Sequence, residues 1–301
     1  MPPSTPAKPY PWYLRPVNWL LIGLSRLPLS VLYFLSDGIY LLLAYGVRYR
    51  WRVITENIRN SFPEKTEVEV AATGRAFYRH FAQVMVEILK LRTISAKELG
   101  RRVRFTNPEL IEPLFEAGRT VLTLGSHAGN WEWILSGAAV RFPGRADGVY
   151  KPLSSPFFES FMYELRTRTG AVLVPMRNTL RHLLSTRGEG RALSLLTDQA
   201  AGPRDSPYWT TFLHQDTSFY TSADRLAPQL QAPVFYVSIQ RARRGYYDIT
   251  ITLLYDGYAP IEKGSYPIAE DFARLLERDI QAAPAQYLWS HRRWKHKRNV
   301  E

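Results

Sequence analysis

Residues 120–132 read TVLTLGSHAGNWE, and this stretch indicates the fold more clearly than any other part of the chain. Its first five residues are apolar or β-branched and uncharged, which predicts a short strand buried on both faces. His127 follows where that strand would end, and a helix is predicted from Trp131 onward. Ligands of open α/β sheets bind at the carboxyl ends of strands. We therefore expect His127 and Glu132 at a functional site.

Short apolar runs alternate with amphipathic stretches on both sides of this segment. Strands are predicted at 104–105, 120–125, 148–150, 171–174, 192–197, 234–240 and 247–254. Helices are predicted at 53–60, 65–91, 108–117, 131–140, 156–169, 179–186, 221–230 and 269–282. This rhythm favours an α/β fold with a mixed, mostly parallel sheet flanked by helices, in which 247–254 is an antiparallel partner.

The N-terminal part has a different composition. Residues 1–16 include six prolines and predict a Pro-rich leader. Residues 17–47 predict a hydrophobic membrane anchor, because 29–47 carries Asp37 as its only charge and a helix of that length covers about 28 Å. A spanning helix, a helical hairpin partly in the membrane and a buried core helix all remain open. The cluster Arg48, Arg50 and Arg52 predicts a cytoplasmic location for the domain at 48–301.

The charge and cysteine content limit the possible partners and chemistries. The chain has 39 Lys and Arg against 27 Asp and Glu, a net charge of +12, and it contains no cysteine. Disulfide frameworks, thiolate zinc sites and cysteine nucleophiles are therefore excluded. The positive charge favours an anionic partner, which leaves nucleic acid, an anionic membrane surface and an acidic protein open.

His127 and Glu132 are spaced so that a loop turning into a helix can bring the carboxylate to the imidazole. His127 would then take a proton from a hydroxyl, while Glu132 fixes the tautomer and stabilises the imidazolium. Asn130 could cap the helix. A purely structural His–Glu contact is the alternative. The sequence at this place has neither the HExxH pattern of zinc proteases nor the GxSxG pattern of a nucleophile elbow.

The HAGNWE segment resembles the H-x4-D/E motif of glycerolipid acyltransferases, and more closely the HxGNWE form of the lipid A biosynthesis acyltransferases. Further blocks are similar to that family in the same order: ENIRNSFPE at 56–64, YKPL at 150–153, RTRTG at 166–170, DQ at 198–199 with Trp209 and Phe212, and PAQYLWSHRRWK at 284–295. The chain departs from the pattern at Ala285, where the family usually has Glu, and at His214, where Gly is common.

The resemblance implies a membrane-bound acyltransferase that moves a fatty acyl chain from an acyl carrier protein thioester to a hydroxyl of a phosphorylated glycolipid, a lipid A precursor. It implies the bacterial inner (cytoplasmic) membrane, with the catalytic domain on the cytoplasmic side, and neither cofactor, metal nor nucleic acid. The remaining open readings are the same chemistry on a lysophospholipid, an aminolipid or a glycosylated phosphoinositol, and a non-catalytic basic membrane-binding protein.

The resemblance also implies roles for individual residues. His127 and Glu132 would be catalytic. Arg166 or Arg168 would stabilise the oxyanion or hold the anionic acceptor, and Asn130 and Lys151 belong to the same substrate-binding set. Asp198 and Gln199 are expected to support the site. Phosphates or headgroups are expected to bind Arg292, Arg293 and Lys295.

Overall fold

The computed structural model describes residues 10–298, so residues 1–9 of the predicted leader lie outside the described part. In the remainder of that leader, Tyr10 and Pro11 lie outside any helix, and the residues after them are helical. A 3₁₀ turn at Trp12–Leu14 leads into helix α1 (Arg15–Arg26). Pro16 is tolerated in the first turn because the N–H that proline lacks would have no helical partner there.

A seven-stranded sheet forms the centre of the molecule. In chain order the strands are β1 (Val103–Phe105), β2 (Val121–Gly125), β3 (Ala146–Tyr150), β4 (Val172–Pro175), β5 (Ala192–Leu196), β6 (Tyr208–Phe212), β7 (Gln215–Phe219), β8 (Val234–Arg243) and β9 (Tyr246–Tyr255). The sheet has the order β1-β9-β8-β2-β5-β3-β4, and β6 and β7 form a separate hairpin. Every pairing in the large sheet is parallel except that of β8 with β9. The predicted mixed, mostly parallel α/β fold is confirmed.

Helices cover both faces of this sheet. After α1 they are α2 (Leu29–Leu41), α3 (Trp51–Ser61), α4 (Glu67–Lys90), α5 (Ala96–Arg102), α6 (Glu112–Glu116), α7 (Trp131–Arg141), α8 (Pro156–Thr167), α9 (Thr179–Ser185), α10 (Ser222–Leu230) and α11 (Pro267–Ala282). The helix predicted at 108–117 is instead a 3₁₀ turn at Pro108–Leu110 followed by α6. Pro113 in the first turn of α6 explains the break, because proline cannot donate within a continuous helix.

Strand β2 lies in the middle of the sheet, and all of its residues are buried. Leu122 and Leu124 point into an apolar cluster on one face, and Val121 points into a second cluster on the other. Successive side chains of a strand face opposite ways, so an uninterrupted apolar run is what a strand covered on both faces requires. The end of β2 is therefore fixed by packing from both sides.

The predicted anchor at 17–47 consists of two helices with a π-helical turn, Leu42–Val47, at its end. Pro28 separates α1 from α2, since the residue before a proline avoids the helical conformation. The stretch Leu29–Val47 is long and apolar enough to cross a membrane, by length and composition. One face of it is nevertheless buried, at Leu32, Tyr33, Ser36, Tyr40 and Ala44, and α2 packs along α4.

Candidate active site

His127 lies in the loop between β2 and α7, beside Asp198 from the segment that follows β5. Because β2 and β5 pair in parallel with Gly125 opposite Leu196, their carboxyl ends meet at one edge of the sheet. His127 Nδ1 lies 2.7 Å from Asp198 Oδ1. The backbone N–H of His127 donates to Asp198 Oδ2 at 3.0 Å. One carboxylate thus holds both the imidazole ring and the backbone of the same residue.

This pair is largely removed from water, with 16% of the His127 side chain and 3% of the Asp198 side chain exposed. Burial lowers the pKa of His127, but the charge and hydrogen bond of Asp198 and the charge of Glu132 outweigh it, so the pKa is raised. Burial acts to raise the pKa of Asp198, but His127 lowers it overall. With Nδ1–H donated to Asp198, Nε2 is the atom of His127 that can accept a proton.

Glu132 does not contact His127, which differs from the role expected from the sequence. Its carboxylate accepts two hydrogen bonds from Arg166, from Nε at 2.7 Å and from Nη2 at 2.6 Å. The difference follows from topology: Asp198 leaves the strand next to β2, whereas the first turn of α7 directs Glu132 toward α8. Burial acts to lower the pKa of Arg166, but the hydrogen bond and charge of Glu132 raise it overall, so the guanidinium stays charged.

Asn130 fixes the loop to its surroundings. Its Oδ1 accepts from the backbone N–H of Trp133 at 3.2 Å, which caps α7, and its Nδ2 donates to Glu87 at 2.8 Å. The capping role considered from the sequence is therefore the one that the structure gives, rather than substrate binding. Gly129 has φ +56°, and a Cβ there would lie 3.1 Å from the side chain of Ile239, so a side chain at 129 would strain the loop.

Two further side chains border the imidazole. Gln199 Nε2 lies 3.4 Å from His127 Nε2, and the ring of Trp131 is 5.5 Å from the His127 ring. Gln199 therefore lies beside the atom that would take the proton. Trp131 was not among the residues singled out from the sequence, although it belongs to the HAGNWE segment.

The segment after α11 holds the loop between β2 and α7 in place through backbone contacts. Ala128 forms an isolated antiparallel bridge with Tyr287, and the Gly129 N–H donates to Gln286 O at 3.0 Å. The Tyr287 hydroxyl lies 3.5 Å from the backbone oxygen of Asp198. The PAQYLWSHRRWK block is thus part of the framework of the site.

Two of the basic residues, Arg168 and Arg293, have positions unlike those expected. Arg168 donates its Nε to Leu91 O at 2.7 Å and its Nη2 to Ile94 O, so it ties the end of α4 to α8. Arg293 is 2% exposed and donates to Ser218 O at 2.7 Å, which excludes a headgroup contact. The tail folds back under the hairpin and places the Arg293 charge where it lowers the pKa of Asp198. Lys151, in contrast, is exposed just beyond β3.

Arg292 and Lys295, which flank Arg293, are exposed as a surface role would need. Within residues 10–298, no group of three or more His, Cys, Asp or Glu side chains could hold a metal ion.

Glu87 of α4 was missed by the sequence reading. It is fully buried, its carboxylate accepts from Asn130, and its backbone oxygen accepts from Trp133 Nε1 at 2.9 Å. A signal was present, because Glu87 falls on the apolar side of the helix predicted at 65–91. A carboxylate in that position is rarely buried without partners.

Comparison with known proteins identifies the family of the chain. Residues 7–296 match the model of the bacterial lipid A biosynthesis acyltransferase family. The chain is 22% identical over 287 residues to a lipid A biosynthesis lauroyltransferase of Escherichia coli K12, and 23% identical over 296 residues to a lipid A biosynthesis palmitoleoyltransferase of the same organism. Each match covers 94% of this chain and 90% of the relative. Since the family match extends over nearly the whole sequence, the chain belongs to the bacterial lipid A biosynthesis acyltransferase family.

Proposed function

We propose that the protein transfers a fatty acyl chain from the thioester of acyl carrier protein to a hydroxyl of a phosphorylated glycolipid, with His127 as the general base. The observation that carries this proposal is the His127–Asp198 pair at the carboxyl end of β2, 2.7 Å apart and almost fully buried. Such a pair needs no nucleophile from the enzyme, because the acceptor brings its own hydroxyl.

The step follows from the protonation states. His127 Nε2 takes the proton of the acceptor hydroxyl as its oxygen forms a bond to the thioester carbonyl carbon. The imidazolium is stabilised by Asp198 through Nδ1–H. When the tetrahedral intermediate collapses, the carbon–sulfur bond breaks and the imidazolium returns its proton to the leaving thiolate. An ester and a free thiol result.

Arg166 is the residue we assign to the negative charge that develops during this step. Two of the five N–H groups of its guanidinium are held by Glu132. The ion pair thus fixes the orientation of the fork while leaving donors for an oxyanion or for the anionic acceptor. Glu132 is in this proposal a positioning residue for Arg166, and its charge also supports protonation of His127.

The donor and acceptor are supported by charge and by the relatives. A net charge of +12 suits both an acidic carrier protein and a phosphorylated acceptor. The related enzymes are named for transferring lauroyl and palmitoleoyl groups in lipid A biosynthesis. We therefore propose a long acyl chain as the transferred group and a lipid A precursor as the acceptor.

We further propose that the protein sits on the inner membrane by laying α2 in the interface, with the catalytic domain on the cytoplasmic side. Phe34 and Leu41 are exposed on the outer face of α2, and Leu42 and Tyr45 are exposed on the π-helical turn that follows, while the inner face of α2 packs on α4. A spanning orientation would carry α4, with Arg75 and Arg79, into the hydrocarbon, where each charge costs about 2.5–3.5 kcal/mol on insertion scales. An interfacial orientation buries the apolar face alone.

The test is acyl transfer by the purified full chain, with labelled acyl carrier protein as donor and a lipid A precursor as acceptor. We expect His127→Asn to lower the rate by about 10²–10⁴-fold, because asparagine cannot act as a base. His214→Asn is the matched control, since His214 is exposed and has a positive φ that asparagine tolerates. A folded His127→Asn protein that transfers as fast as the control would contradict the proposal.

A further inference from the structure

A second polar site lies next to the active-site loop, between α2 and the sheet. It is a cavity of about 490 Å³ bounded by α2, α4, β8 and the segment after α11. Three arginines line it, Arg75 and Arg79 from α4 and Arg241 from β8. None of the described residues that line it carries a carboxylate.

The charges of these arginines are not balanced by the protein. Arg75 and Arg79 are one helical turn apart on α4, a spacing at which like charges repel. Within residues 10–298, no carboxylate lies within ion-pair distance of either residue or of Arg241. The guanidinium of Arg79 lies instead over the ring of Tyr40, 4.7 Å from its centroid. Three cations that line one cavity without an ion-pair partner indicate a site for an anion.

The neighbours of Arg241 are neutral. Its Nη2 donates to Gln83 Oε1 at 2.6 Å, and its Nη1 lies 3.4 Å from His80 Nδ1. His80 Nε2 is 3.1 Å from the carbonyl oxygen of Gly129, so Nε2 carries the proton and Nδ1 accepts from Arg241. Burial, with the charge of Arg241, lowers the pKa of His80 to about 4, consistent with a neutral ring.

Arg241 interacts electrostatically with the carboxyl group of Glu87, which lies one turn beyond Gln83 and outside the cavity lining. Its oxygens are occupied by the hydroxyls of Tyr33 and Tyr247 and the amide of Asn130. Burial raises the pKa of Glu87, which weakens it further as a counter-ion. The positive charge of Arg241 is therefore available to a ligand.

We propose that this cavity binds a phosphate group carried by a lipid, held by Arg75, Arg79 and Arg241. Guanidinium forks match the oxygens of phosphate in a bidentate manner, and they do so better than lysine. Tyr40 belongs to α2, so the cavity adjoins the helix whose outer face we propose to lie in the membrane interface, where lipid phosphates are within reach. The phosphate belongs either to the acyl acceptor or to a surrounding membrane lipid.

The cavity is coupled to the catalytic loop through two contacts. His80 bonds the carbonyl oxygen of Gly129, and Gln286, which lines the cavity, accepts the Gly129 N–H. Gly129 is two residues from His127. A phosphate bound here would be held at a fixed distance from the reacting hydroxyl, so an acceptor phosphate would position the acceptor.

The first experiment measures binding of inorganic phosphate to the full chain by titration calorimetry. We expect Arg75→Gln with Arg79→Gln to weaken binding by about tenfold or more, because two charge-assisted contacts are lost. The matched control is Arg177→Gln with Arg181→Gln, which removes two exposed arginines at the same spacing from another surface. Unchanged affinity in the first variant, or an equal loss in the control, would overturn the proposal.

A second pair of measurements identifies the source of the phosphate. If it belongs to the acceptor, the Arg75 and Arg79 variant raises KM for the phosphorylated acceptor and leaves KM for a dephosphorylated one unchanged. If it belongs to a membrane lipid, KM stays constant and the variant partitions less onto phosphatidylcholine vesicles containing phosphatidic acid than the control does. Either result supports the site. The proposal would be overturned if the variant changed neither KM for the phosphorylated acceptor nor partitioning onto the vesicles.

Only the KM measurement rests on the acyltransferase function proposed above. The His127→Asn protein separates the two proposals, since we expect it to bind inorganic phosphate as the wild type does while it fails to transfer. If the His127→Asn protein loses acyl transfer but still binds phosphate, the cavity site remains supported. If substituting Arg75 and Arg79 does not change phosphate binding, only the cavity proposal is contradicted and the catalytic proposal is unaffected.

Discussion

Asp198 and Glu132 have separate tasks around one imidazole. Asp198 bonds the Nδ1 of His127 directly, whereas Glu132 acts on it only through charge and holds Arg166 in place. Both carboxylates raise the pKa of His127, but only Asp198 determines which nitrogen carries the proton. Replacing each acid by its amide should therefore have different effects on rate and on pH dependence.

We expect Asp198→Asn to lower kcat/KM by about 10²–10⁴-fold, because the ring loses its orienting acceptor and its stabilised imidazolium. The base must be neutral to act, so the wild-type rate rises as pH increases through the raised pKa of His127. Without the Asp198 charge this pKa falls. The acid limb of the pH profile of kcat/KM should consequently move to lower pH.

Glu132→Gln serves as the comparison. It should shift the acid limb in the same direction but less, since the hydrogen bond from Asp198 remains. Asp216→Asn makes the same chemical change on an exposed strand residue and should leave the profile in place. An Asp198→Asn profile with the wild-type midpoint would show that this carboxylate does not control the imidazole.

At the scale of elements, Glu87 connects helices and strands that are distant in sequence. Its carboxylate accepts hydrogen bonds from Tyr33 of α2 at 2.8 Å, from Tyr247 of β9 at 2.6 Å and from the Asn130 cap of α7 at 2.8 Å. These partners come from α2, the sheet and the catalytic loop. A single buried side chain thereby sets the position of three elements.

We expect Glu87→Ala to lower the free energy of unfolding by about 3 kcal/mol or more, because three buried donors lose their acceptor. Glu87→Gln keeps one acceptor oxygen and should cost about 1–2 kcal/mol. Thermal unfolding in detergent, followed by circular dichroism, measures both. Glu116→Ala, at an exposed position of α6, is the control. A Glu87→Ala protein as stable as this control would contradict the role assigned to the cluster.

The sequence predicted most elements of the large sheet because each of its strands is a distinct apolar run. It did not predict the β6–β7 hairpin. The turn of that hairpin is formed by Leu213 and His214, both with positive φ, where the usual signal would be Asn-Gly. With ordinary residues at the turn and polar residues along 208–219, neither turn chemistry nor alternation marked the pair.

The site was predictable in part for a related reason. His127 could be placed because it follows a buried strand directly. Its partnership with Asp198 depends on β5 lying next to β2, and that adjacency arises from a strand order that local sequence does not encode. Arg293 was misassigned because a basic cluster on a tail looks like a surface feature until the tail is seen to fold back. The sequence indicated which residues carry the chemistry, but it did not indicate which distant residues the fold brings next to them.

At the scale of the whole molecule, the apolar outer face of α2 is the surface by which we propose that the protein binds the membrane. Removing residues 17–47 would test this poorly, because it would also uncover the buried side of α4. Substituting exposed residues of α2 tests the face without disturbing the contact. Phe34 and Leu41, with 76% and 55% of their surface exposed, are suitable positions.

We expect Phe34→Glu with Leu41→Glu to move most of the protein from washed membranes into the soluble fraction, because two carboxylates would enter the apolar part of the interface. The control is Val68→Glu with Leu253→Glu, which changes residues of matching exposure, 76% and 51%, outside α2. Sedimentation followed by immunoblotting measures both. If the α2 variant still sediments fully, another surface provides the attachment.

The central position of β2 also affects how the protein acquires its activity during folding. His127 and Asp198 are 71 residues apart, and β2 is bordered by β5 on one side and by β8 on the other. Pairings between such distant segments form late and slowly, because the chain entropy lost in closing long loops comes before the contacts that repay it. A partly folded chain thus has no assembled base. Catalysis begins only when the central part of the sheet is complete, so a newly made chain stays inert until β2 has paired with both of its neighbours.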